Sequence, residues 1–187
     1  MVTFPITSPS ANQKTRVGWP VDITSAVNDH ETHISSLDRC IVARHVRTTS
    51  STGTTTEIGV IQLNVPVVTG KLYVVHASPV YLYSNVTNDV IQAQIRYTTN
   101  GTDPTTASTI LPASRVQALI VNNVYDYSQN ITCYWPSTIT GTLKILLTVT
   151  RAVGSGTAQL LSGTGAKYIH MWVEEFTIDP GDTGTDI

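Results

Sequence analysis

The chain has 187 residues, a formal net charge of −2 and only 13% charged residues. This length suits a single domain with a sizeable hydrophobic core, and the small number of basic residues excludes the positive surface of a nucleic-acid-binding protein. The first residues show no basic stretch followed by an apolar one, and no apolar run reaches the ~18 residues of a membrane-spanning helix. We therefore expect no secretory signal and no contact with a membrane.

Residues 1–21 are predicted to form an extended amino-terminal arm. Pro5, Pro9 and Pro20 disfavour helix and hold the residues before them in extended conformations. The apolar residues of the arm show no periodicity, so the arm is either frayed or docked in a groove on another surface. We favour docking, because a tryptophan side chain is costly to leave in water. The predicted anchors of the arm are Phe4, Ile6 and Trp19.

Residues 22–41 are predicted to form the only helix of the chain. Apolar residues recur in steps of four and three, which is the spacing of a coiled-coil seam, and the positions between them are almost all polar. So narrow a stripe favours a seam between copies of the chain, although an amphipathic helix packed on its own domain is the alternative. A polar residue within such a seam commonly sets register and oligomer state. The seam positions are Ile23, Val27, His30, Ile34, Leu37 and Ile41.

Residues 42–56 are predicted to form a strand followed by a linker rich in Ser, Thr and Gly. Residues 57–178 then read as a β-domain, because short β-prone runs alternate with Pro, Gly and Asn. Residues 179–187 form an acidic tail that is expected to leave the domain. The predicted strands cover residues 58–65, 71–76, 80–83, 90–98, 115–121, 131–135, 141–151, 157–161 and 167–178.

About nine short strands at regular spacing predict an antiparallel β-sandwich, either a jelly roll or an immunoglobulin-like fold. The run 90–98 alternates most clearly, with Ile91, Ala93, Ile95 and Tyr97 on one face. Aromatic residues in the strands are candidates for a binding surface, although tyrosines in strands also belong to cores and their rims. The candidates are Tyr81, Tyr83, Tyr125 and Tyr127, with Trp135 as a further one.

Catalytic and metal-binding patterns are not found in the sequence. His30 and His33 are three residues apart, one short of the HExxH spacing that places two imidazoles on one zinc ion. No phosphate-binding loop, nucleophile elbow or pair of carboxylates for sugar hydrolysis stands out. Cys40 and Cys133 are expected to behave as small core hydrophobes. The sequence therefore predicts no enzyme, no catalytic residue, no metal and no cofactor.

One local motif resembles a known strand and turn. Residues 95–106, IRYTTNGTDPTT, are similar to a unit of small immunoglobulin-like modules that are appended to bacterial glycosidases. In this motif Asn100-Gly101 supplies a turn with positive φ, and Asp103-Pro104 sets the exit of the chain. The resemblance implies a sandwich with an accessory role and no activity of its own.

A second resemblance covers more of the chain. Residues 19–38, WPVDITSAVNDHETHISSLD, and 171–180, MWVEEFTIDP, are similar to segments of bacteriophage tail fibre and minor tail proteins, including those of phages of actinobacteria. The resemblance implies a virion structural protein, assembled in the host cytoplasm as a homotrimer. It implies that the arm binds other virion proteins and that the β-domain binds a host cell-surface glycan. A head decoration protein and a carbohydrate-binding accessory module are the alternatives.

The helical seam generates a first prediction. Replacing Ile34 by Asp should dissociate the homotrimer, because three charged groups would face each other across the axis. Sedimentation at micromolar concentration should give a trimer for the wild-type chain and a smaller mass for Ile34→Asp. Ser35→Asp is the control, because it adds the same charge beside the seam. A monomeric wild-type chain, or a trimeric Ile34→Asp, would contradict the seam.

Overall fold

The structure is a computed structural model that describes residues 41–121, 127–163 and 168–177. The predicted arm with its anchors, the predicted helix up to residue 40, and the tail lie outside the described residues. Several predicted site residues therefore have no structural account. These are Phe4, Ile6, Trp19, Ile23, Val27, His30, Ile34, Leu37 and Tyr125.

The described residues form ten strands and contain no helix. The strands are β1 (Ile41–Arg47), β2 (Ile58–Val67), β3 (Lys71–Ser84), β4 (Val90–Thr98), β5 (Thr109–Ile110), β6 (Val116–Leu119), β7 (Tyr127–Pro136), β8 (Gly141–Val153), β9 (Ala158–Leu161) and β10 (Ile169–Thr177).

The strands form two antiparallel sheets. Sheet A has the order β1-β10-β3-β7, and β9 pairs with the second half of β3. Sheet B has the order β2-β8-β4-β5, and β6 pairs with the first half of β4. Most connections cross from one sheet to the other, so strands that follow each other in sequence mostly lie in different sheets.

One hydrophobic core receives side chains from both sheets. In β4 the alternation predicted from the sequence is confirmed, because Ile91, Ala93 and Ile95 are fully buried. β2 follows the same period of two, with each buried residue followed by an exposed one from Ile61 to Val67. Each fully buried aliphatic side chain contributes about 1.5–3 kcal/mol. A mainly β chain whose two sheets share one core is therefore the coarse fold, as the sequence predicted.

β3 runs through a proline, although the sequence predicts two separate strands on either side of it. Pro79 lies inside β3, where the register with β7 shifts between Ala77 and Val80. A proline has no N–H group to give to the ladder, so it fits a strand at such an irregularity. The separate strands predicted at 71–76 and 80–83 are therefore one strand.

The amino-terminal boundary of the β-domain also differs from the prediction. Ile41, the last predicted seam residue, begins β1 and pairs with Glu174 of β10, so the predicted helix cannot extend to this residue. The predicted linker is bound to the β-domain, because Ser51 N–H donates to the Leu160 carbonyl oxygen at 2.9 Å, and Thr54 pairs with Ala158. Segment 42–56 is therefore part of the β-domain.

Candidate functional site

The tyrosines and Trp135, predicted as a binding surface, occupy different environments. Tyr81 and Tyr83 are half-buried and flank the buried Leu82, so they lie on the outer face of sheet A near the end of β3. Trp135 is 7% exposed and packs in the core, with its ring centroid 6.1 Å from that of Tyr73. Tyr127 begins β7, and its side chain is not among those described. Trp135 is thus a core residue.

Ionisable side chains that could perform chemistry are scattered among the described residues. No group of three or more His, Cys, Asp or Glu side chains within residues 41–121, 127–163 and 168–177 could hold a metal ion. The thiol of Cys133 is fully buried, and burial raises its pKa to about 12, so it is a small core residue and a poor nucleophile. In the same part of the chain, no helix is long and apolar enough to cross a membrane.

A polar network covers the outer face of sheet B. Arg96 of β4 forms a two-point ion pair with Glu57, with both N–O distances at 2.6 Å. The same carboxylate accepts hydrogen bonds from Gln94 Nε2 at 3.0 Å and from Thr148 Oγ1 at 2.6 Å. The Glu57 and Arg96 side chains are only 17% and 13% exposed. This network fixes the segment before β2 onto the centre of the sheet.

The electrostatics of Glu57 follow from these contacts. Burial by itself raises the pKa of this carboxyl group, but hydrogen bonds from Arg96, Thr148 and Gln94 outweigh it. The pKa of Glu57 is therefore held below its ordinary value of 4.5. Because both oxygens of the carboxylate accept charge-assisted hydrogen bonds from Arg96, and Oε1 accepts two more from Gln94 and Thr148, Glu57 acts as a structural group.

A second carboxylate fixes a turn at the end of the sheets. Asp89 is 1% exposed and accepts hydrogen bonds from the backbone N–H groups of Ser155 and Gly156, each at 2.9 Å. Ser84 donates a third hydrogen bond from its hydroxyl group. Burial raises the pKa of Asp89, but these hydrogen bonds hold it below its ordinary range. Gly154 has φ +114 and lies so close that a Cβ there would meet Asp89 Oδ1 at 1.8 Å.

The outer face of sheet A carries aromatic side chains instead of a closed polar network. Trp172 of β10 lies directly across from His76 of β3, and the two rings stack with centroids 4.6 Å apart and planes 11° apart. The indole Nε1 donates to Glu174 Oε1 at 2.9 Å. Glu174 Oε2 lies 3.6 Å from His76 Nε2. Trp172 is therefore held on one ring face and at its polar edge.

Further aromatic and apolar residues extend this face. Tyr134 of β7 is 61% exposed, and Phe176 of β10 is 43% exposed. Tyr134 pairs with Val74 in the row beside that of Trp172 and His76, and Phe176 pairs with Leu72 one row further along the same face. Large apolar groups that share one exposed face mark an interaction surface more often than scattered single residues do.

An open cleft of about 410 Å³ lies where β1 and β10 meet. Its size is within the ~300–1,000 Å³ range of small-molecule sites. Trp172 forms part of its wall, whereas His76, which stacks on the indole, does not. We call it the Trp172 cleft. It is lined by Ile41, Arg44, His45, Val46, Ser78, His170, Met171 and Trp172.

The sequence carries a local signal for the outward face of β10 but none for the whole Trp172 cleft. His170, Trp172 and Glu174 alternate with the buried Met171 and Val173, so the period of two places them on one outward face. The pairing of β10 with β1 could not be read from local sequence. No protein family matches the sequence, and comparison with curated proteins finds no significant relative. The candidate site therefore rests on its own geometry.

The network at Glu57 generates a stability prediction. Glu57→Gln should lower the free energy of unfolding at pH 7 by about 2 kcal/mol, because it leaves the half-buried Arg96 without its charged partner. Since the folded-state pKa is lowered, the carboxylate stabilises the fold above pH 4.5 and this contribution disappears as pH falls through the folded pKa. Urea denaturation at pH 7 and at steps down to pH 3 measures both effects.

Asp103→Asn is the matched control for this prediction. It makes the same change from carboxylate to amide, but at an exposed ion pair in which Lys144 Nζ lies 2.8 Å from Asp103 Oδ1. Asp103→Asn should lower the free energy of unfolding much less than Glu57→Gln does, because exposed ion pairs are screened by solvent. The role of Glu57 would be contradicted if both variants lowered the free energy of unfolding equally. It would also be contradicted if the difference between Glu57→Gln and the wild-type chain did not shrink toward pH 3.

Proposed function

We propose that the chain is a bacteriophage virion structural protein, a homotrimeric tail fibre or tail-tip component whose β-domain binds the host surface. The observation that carries the proposal is the strand order of the two sheets. In sheet A, β1 lies beside β10, which is followed by β3 and β7. In sheet B, β2 lies beside β8, which is followed by β4 and β5. With β5 and β6 taken as one position and β9 as an addition, this is the order of an eight-stranded jelly roll.

The jelly roll supports a role in a virion because it is an architecture of viral capsid and lectin domains. Fold alone does not define function, so the surface must support the same conclusion. The described carboxylates with the strongest contacts, Glu57 and Asp89, are held by partners within the chain. The outer face of sheet A presents aromatic rings on rigid strands. These features suit binding without turnover, which the sequence also predicts.

Trimerisation would add to the strength of such binding. Three copies of a weak site on one particle bind with an avidity that exceeds the affinity of each site, provided that all three can reach the surface together. The β-domain supplies rigid strands, and its loops of Thr, Ser, Gly and Asn supply adaptable hydrogen bonds. The predicted arm would attach the trimer to neighbouring virion proteins.

A head decoration protein is the second candidate, favoured by the same jelly-roll order, since this fold also builds capsids. Immunogold electron microscopy of purified phage particles separates the two. Antibodies against the chain should label the tail or its tip, with antibodies against the major head protein as the reference for the head. Label on the head would support decoration instead. Absence of the chain from purified particles by mass spectrometry would contradict both.

A further inference from the structure

We propose that the Trp172 cleft binds an acidic sugar, a pyranose that carries a carboxylate, as found in uronic-acid saccharides of cell envelopes. This inference rests on the proposed function, because the host surface is where the sugar would be met. It adds to that function a binding site at the junction of β1 and β10 and the chemical class of its ligand.

The Trp172 side chain is held in place by contacts within the chain, before any ligand binds. His76 stacks on one face of the indole, and the indole N–H is hydrogen-bonded to Glu174. β10 lies between β1 and β3, so Arg44, which lines the cleft, lies on the opposite side of Trp172 from His76. A ring fixed in this way loses little conformational freedom when a ligand binds. Its negative π face attracts the weakly positive C–H groups of a sugar ring.

The lining of the Trp172 cleft contains a positively charged side chain, that of Arg44. Arg44 of β1 lies directly across from Trp172 of β10, and His170 lies directly across from Val46 in the next row. Arg44 and His170 are exposed on the outer face of sheet A, whereas His45 pairs with the buried Met171 and so lies on the opposite face. Among the described residues, no carboxylate lines the cleft. The guanidinium group can hold a carboxylate through two parallel hydrogen bonds, and imidazole N–H groups can donate further ones.

An aromatic ring, a guanidinium group and apolar side chains are combined in the Trp172 cleft. Ile41 and Val46 of β1 pair with the outward-facing Glu174 and His170, so they give the lining apolar side chains on the same face as the indole. A free carboxylate would use Arg44 but leave this apolar wall without contacts. A neutral sugar would use Trp172 but would offer no negative charge to Arg44. A sugar ring with a carboxylate satisfies both halves of the cleft, which is why we infer this class rather than either alone.

The test is calorimetric titration of the full chain with a trimer of galacturonic acid. Trimers of galactose and of glutamic acid serve as the neutral sugar and the acidic peptide. The galacturonate trimer should bind more tightly than both. Arg44→Ala should weaken binding about tenfold or more, since a charge-assisted hydrogen bond is lost. Equal binding of the galactose trimer or the glutamate trimer would overturn the proposed ligand class.

Two variants act as controls for the site. Arg44 is exposed on an edge strand, so Arg44→Ala should fold normally, which circular dichroism can check. Lys144→Ala removes the same charge from sheet B and should leave the affinity unchanged. Trp172→Phe should keep part of the binding, because it preserves an aromatic face. Galacturonate binding that is unaffected by Arg44→Ala, or equally weakened by Lys144→Ala, would overturn the site.

The two proposals fail separately. A chain that is found in phage particles but binds no galacturonate would overturn the Trp172 cleft and leave the virion role in place. A chain that binds galacturonate through Arg44 but is absent from particles would overturn the virion role and leave the sugar site in place.

Discussion

The packing of two sheets onto one shared core is the interaction on which the rest of the structure depends. The long strands β2, β3, β4, β7, β8 and β10 send alternate side chains into the shared core, so the side chains between them lie on the two outer faces. Within the described residues, these outer faces are the broad surfaces of the two sheets that remain for binding. Their side chains differ in kind.

The outer face of sheet B is closed by its own polar groups. Glu57 joins Arg96, Gln94 and Thr148, so donors and acceptors on this face are satisfied within the chain. The outer face of sheet A presents Trp172, Tyr134 and Phe176 at a less closed surface, beside an edge strand. A satisfied network stabilises but offers little to a ligand, whereas fixed aromatic rings beside a cationic group can bind one. This asymmetry is the reason for placing the interaction surface on sheet A.

Most strands could be predicted from the sequence because their signal is local. The alternation in β4 gave its residue range, 90–98, and β8 was predicted nearly in full. Ile41 was misplaced because an isoleucine fits both a seam and a strand, and its pairing with Glu174 is a long-range contact. Trp172 was missed as a site residue for the same reason. Its partners come from β1 and β3, which are distant in sequence, and only sheet order brings Arg44 and His76 to its two sides.

Hydrogen–deuterium exchange of the full chain, with and without host envelope fragments, tests the central claim most directly. Within the described residues β1 pairs only with β10 and forms the edge of sheet A, so its amides that have no partner in the sheet should respond to a bound ligand. The account predicts slower exchange in β1 and β10, with β2 and β8 unchanged. Protection that is confined to sheet B, or no change in any strand, would contradict it.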